Sequence, residues 1–87
     1  MTHAAQIETA TAEKIAEEIK TAEALITKAR PNEAKIPNAA FWALVGARSI
    51  VRSMKELARV NHPDTRTLEK ARLYNAEIVR MSAFWMN

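Results

Sequence analysis

The 87-residue chain has no cysteine, only one glycine and only three prolines. Each shortage excludes something. A small secreted domain is usually stapled by disulfides, so the lack of cysteine favours a reducing compartment. With so few helix breakers, and with Ala, Glu, Lys, Arg and Leu abundant, the chain favours long helices. The one glycine, Gly46, falls inside a predicted helix, which leaves no glycine-rich loop to cradle a phosphate. The two histidines, His3 and His62, form no His/Asp/Glu cluster at helical ligand spacing, so neither a metal centre nor a cofactor is expected. Ser49, Ser53 and Ser82 have no base and orienting acid at a recognisable spacing. The longest apolar stretch, residues 39–47, is far too short to span a bilayer, and no basic segment followed by an apolar run marks a signal peptide. These absences predict a cytoplasmic protein that is neither an enzyme nor a membrane protein.

Apolar residues make up 48% of the chain, enough for folding rather than disorder. The length fits one domain over residues 1–87, near the lower limit for a self-sufficient core. The net charge of +3 is unevenly placed. Residues 1–30 carry −1, residues 31–62 carry +3 and residues 63–87 carry +1. The middle segment is the one that would meet an acidic partner.

Periodicity predicts three helices. The first starts after Thr9 or Thr11 as N-cap and runs to residue 30, leaving residues 1–8 as a flexible N-terminus. Its apolar positions, Ala12, Ile15, Ile19, Ala22, Ile26 and Ala29, alternate spacings of three and four and form a heptad seam. Pro31 stops it. After a loop over 31–38, Asn38 is the expected N-cap of a second helix over 39–61, with a seam of Ala40, Leu44, Ala47, Val51, Met54 and Ala58. Asp64 or Thr65 caps a third helix over 66–86, with a seam of Ala71, Tyr74, Ile78, Met81 and Trp85. Short connections make neighbours antiparallel. The expected fold is all-α, an up-down-up three-helix bundle or long helical hairpin, thin for its mass and for that reason a candidate homodimer.

Three features stand out as sites. Ala40-Phe41-Trp42 opens the second helix and Ala83-Phe84-Trp85 closes the third, which gathers four of the five aromatic residues at one end. Trp42 and Phe84 lie off their helices' seams, so they either pack under the end of the first helix, form a dimer contact or meet a different protein. Arg48, Arg52, Lys55 and Arg59, spaced four, three and four, form a basic ridge on one helical face. It is either a solvated face partly paired with glutamates of the first helix or a docking face for an acidic protein or nucleic acid. The nucleic-acid reading is less favoured, because the aromatics sit at the helix end rather than among the cations.

The third feature is His62-Pro63-Asp64. As punctuation, Pro63 blocks the second helix, His62 sits beyond its negative end, and Asp64 caps the third. Together with Ile50, Arg52, Lys55, Leu57 and Ala58 before it and Asn75 after it, the tripeptide also resembles a J-domain, the Hsp70-stimulating module of co-chaperones. The resemblance covers about residues 50–80 and leaves the family's short first helix without a clear counterpart. It implies that His62, Pro63 and Asp64 contact an Hsp70, with Arg52, Lys55 and Arg59 on the docking face. The preferred expectation is a protein-interaction module, a small antiactivator-like regulator that occludes a transcription factor or host-defence component through Phe41, Trp42, Phe84 and Trp85. The J-like co-chaperone is the runner-up and nucleic-acid binding the third.

Overall fold

The helices form where breakers are missing and end where proline or a cap intervenes. The computed structural model describes the backbone of residues 3–86 and the side chains of residues 6–86. It contains α1 (His3–Thr27), α2 (Pro37–Val60) and α3 (Thr65–Met81), with single 3₁₀ turns at Pro31–Glu33 and Ser82–Phe84. No strand occurs among the described residues. All three helices pack on one another, in the up-down-up order expected. The bundle measures 52 × 18 × 15 Å, so it is long and thin.

The helix boundaries differ from expectation for local reasons. Helix α1 begins at His3, not after Thr9 or Thr11. Residues 3–8 of the segment expected to be flexible are therefore helical, while residues 1 and 2 lie outside the described residues. The Thr11 hydroxyl does not cap; it donates to the Ile7 carbonyl at 2.9 Å, one turn back. Thr21 and Thr27 do the same to Glu17 and Glu23. A threonine whose hydroxyl is satisfied by the preceding turn is no start signal. The other end comes early, at Thr27: the Ala29 amide donates to the Ile26 carbonyl at 3.1 Å, so the last turn tightens before Arg30 leaves the α region ahead of Pro31.

Helix α2 starts at Pro37 and not after Asn38. Proline at the first helical position has its φ already set and no amide to satisfy, so it displaces the asparagine as the start signal. Ile36 takes the cap position without a side-chain hydrogen bond. Helix α3 is capped as expected: the Asp64 carboxylate accepts from the Thr67 amide at 2.8 Å. It ends at Met81 rather than residue 86, where the chain tightens into the 3₁₀ turn.

Two buried clusters lie along the axis. The larger joins Ala22, Ala34, Ala40, Leu44, Ala47, Val51, Met54, Ile78 and Trp85. The smaller joins Ile15, Leu68 and Ala71 near the α2–α3 connection. The seams supply nearly all of these, but Ala12, Ala58 and Tyr74 stay exposed. Ala34 adds a loop residue that no helical period predicts.

Candidate functional site

The repeated aromatic tripeptides meet at one end of the bundle. The 3₁₀ turn at 82–84 packs on α2, and Ala40 and Trp85 share one buried cluster. The four aromatics then divide. Trp85 is 2% exposed, so it is a core residue and leaves the set expected to face a partner. It lies beyond α3, at the end of the 3₁₀ turn, and packs in the larger buried cluster with Ala40 and Ile78. Phe41, Trp42 and Phe84 are exposed by 49%, 67% and 57%. Phe41 and Trp42 touch edge to face, with ring centroids 5.2 Å apart. Edge-to-face contact aligns the positive rim of one ring with the negative face of the other, a favoured geometry for aromatic pairs.

The basic ridge lies beside this pair. Phe41, Val45, Arg48, Arg52, Lys55 and Arg59 alternate spacings of four and three, so they form one stripe along α2. The stripe flanks a groove of about 430 Å³ between α1 and α2. Glu23, Ile26 and Thr27 line it from α1, and Val45, Arg48, Val51, Arg52 and Lys55 from α2. The floor is aliphatic and the rim is charged. Half of the ridge is paired within the chain. Lys55 meets Glu23 across the groove at 3.1 Å, and the Arg59 Nε donates to Glu56 at 3.1 Å. Glu56 holds the Arg59 guanidinium in its charged form, raising its already high pKa. Arg48 and Arg52 have no acidic partner among the described residues.

The His62-Pro63-Asp64 turn sits at the opposite end of the ridge. The His62 ring donates from Nε2 to the Glu8 carboxylate at 2.9 Å, and its carbonyl accepts from the Thr67 hydroxyl at 2.9 Å. The hydrogen bond to Glu8, then the Glu8 charge, raises the His62 pKa above the ordinary imidazole value. Hydrogen bonds from Thr67 lower the Asp64 pKa below the ordinary carboxylate range. Asn75 is half-buried against α1, where its Nδ2 donates to Glu18 at 3.2 Å. Its Oδ1 is buried without a hydrogen-bond partner.

Other surfaces offer less. A recess of about 130 Å³ beside Pro63, lined by Ala12, Ile15, Ala16, Ile19 and Ala58, is below the roughly 300–1,000 Å³ of ordinary small-molecule sites. A depression of about 600 Å³ between α2 and α3, larger than the groove but more open to solvent, is lined by Ser49, Ser53, Glu56 and other α2 residues together with Asn61 and Tyr74. Among the described residues no group of three or more His, Asp or Glu is placed to hold a metal ion, and no helix is long and apolar enough to cross a membrane. No protein family, curated protein or solved structure matches this chain.

Sequence reasoning found the aromatic end and the ridge but treated them as separate features. It missed that Val45 joins them, and that Ile26 and Glu23 of α1 form the facing wall. The period from Phe41 through Val45 to Arg48 was the available signal.

Proposed function

We propose that this chain is a non-enzymatic protein-interaction module, a small regulator that binds a partner protein and occludes it. Transcription factors and host-defence components are the partner classes it would suit. One observation carries this reading: the exposed Phe41–Trp42 pair begins one turn before Val45, which lines a groove with an aliphatic floor and two arginines that have no acidic partner among the described residues. Aromatic residues and arginine dominate interface hot spots, because both present large rigid contact surfaces at low entropic cost. Self-association of the thin bundle belongs to the same reading. Leu73, 71% exposed on the outside of α3, is the residue for a homodimer contact, which sedimentation of wild type against Leu73→Glu would read.

The deciding experiment captures partners from native host lysate on the tagged protein and then titrates the purified partner against wild type and Trp42→Ala. The reading requires that Trp42→Ala weaken binding by more than it weakens folding. Equal losses would return the aromatics to a packing role.

A second reading, co-chaperone action on an Hsp70, is favoured by the exposure of the His62 side chain at the α2–α3 turn. It requires Hsp70 ATPase stimulation that His62→Gln abolishes while the fold survives. No stimulation at micromolar protein would remove it.

A further inference from the structure

The α2 stripe is ordered along its length. Phe41 and Val45 come first, one turn apart, and Arg48 and Arg52 follow, again one turn apart. The four residues span about 16 Å of helix at 1.5 Å per residue. Beyond them, Lys55 is already engaged by Glu23, a carboxylate that α1 presents from the antiparallel direction. The chain thus carries its own example of what the ridge accepts: an acid projecting from a neighbouring helix. Past Thr27 the helix α1 is gone. Of the residues 28–36 that follow, only Ala34 is buried. That segment adds Lys28, Arg30 and Lys35 against a single Glu33, so the local charge stays positive.

We propose that this groove docks an acidic amphipathic helix of a partner protein, with two carboxylates on Arg48 and Arg52 and an apolar stripe on Phe41 and Val45. The inference rests on the interaction reading above and names the partner's chemistry. Two carboxylates one turn apart on a helix are about 6 Å from each other, which matches the spacing of Arg48 and Arg52. Acids are best tolerated in the first half of a helix, where they oppose the macrodipole. A partner with its acids first and its apolar stripe second must run antiparallel to α2, as α1 does.

Two other occupants fit less well. A phosphate backbone has no use for the Ile26, Val45 and Val51 floor, and Glu23 on the groove wall repels it. A second copy of this chain shows Glu13 and Glu17 one turn apart on α1, but their face continues through Ala10, Thr21 and Ala24. Those side chains are too small to cover Phe41 and Val45.

The test pans a displayed library of helix-favouring random peptides on the full-length wild type and on two variants, Arg48→Glu/Arg52→Glu and Phe41→Ser/Val45→Ser, each checked for folding by circular dichroism. The expected winners on wild type carry two acids one turn apart in the first half and an apolar stripe in the second. Their affinity, read by fluorescence anisotropy, falls at least about tenfold on the charge-reversed variant and recovers when the peptide's acids become arginines. Winners that need Phe41 and Val45 but ignore Arg48 and Arg52 overturn the acidic helix and leave the interaction reading standing. Winners that ignore both pairs, or no enrichment at all, overturn both. Equal competition by a single-stranded oligonucleotide of matched charge transfers the site to nucleic acid. Concentration-dependent sedimentation of the protein alone, abolished by Arg48→Glu/Arg52→Glu, transfers it to a second copy.

Discussion

The indole Nε1 of Trp85 donates a hydrogen bond to the backbone carbonyl of Leu25 across 3.2 Å. The chain's last turn is thereby fastened to the end of α1, sixty residues earlier. The carbonyl belongs to the final turn of α1, where helical acceptors run out of intrahelical donors. The bond therefore satisfies a group the helix leaves open.

This contact separates the two tryptophans. Trp85→Ala removes a buried indole and should cost about 3–5 kcal/mol, a large share of the stability of a domain this size. Trp42→Ala, on the exposed side, should change stability by less than about 0.5 kcal/mol. Urea unfolding of both variants checks this, and equal losses would place Trp42 in the core.

Gly46 lies inside α2, where a Cβ would come within 2.9 Å of the Met81 terminal methyl. That methyl ends a flexible side chain and can turn aside at little cost. The helix-propensity gain should win, so Gly46→Ala should stabilise by roughly 0.5 kcal/mol. A bulkier Gly46→Leu should destabilise by about 1–3 kcal/mol, since it would have to displace α3. Thermal melts of the pair decide; a lowered melting temperature for the alanine would mean that Met81 is held rigidly.

The His62–Glu8 bond ties α1 to the α2–α3 turn. His62 is raised above its ordinary value, so its stabilising contribution is fully present below the unfolded pKa and is lost as pH rises through the higher folded one. An NMR titration of the ring should show the raised midpoint in wild type and a lower one in Glu8→Gln. Coincident midpoints would mean that the contact is not formed in solution.

Asp64 titrates with the opposite sign. Its folded pKa is lowered, so its capping contribution is present above the unfolded value and disappears as pH falls through the folded one. Asp64→Ala should lower the melting temperature at neutral pH, while Asp64→Asn, whose amide oxygen still accepts from Thr67, should lose less. A melting temperature for Asp64→Ala equal to that of wild type would show that the cap contributes nothing.

By itself the sequence determined the three helices, their order and most of their buried faces. Those depend on period and on strong local punctuation: Pro31, Pro63 and the Asp64 cap each act within one turn of chain. It also determined that Trp42 and Phe84 lie off the seams and that Arg48, Arg52, Lys55 and Arg59 share a face. Local competition misplaced several ends, because Thr11 bonds backward and Pro37 outranks Asn38 as a helix start. Arg59 pairs locally with Glu56, but the tertiary structure alone decided that Lys55 is taken while Arg48 and Arg52 are not. Glu23 reaches Lys55 only because α1 and α2 pack at one particular register, and that register leaves Arg48 and Arg52 beside an aliphatic floor. It also decided that Ala34 and Trp85 close one end of the core and that Glu8 meets His62 at the other. Such pairings span more than fifty residues of chain. They follow from how the three helices settle against one another, which helical periodicity does not encode.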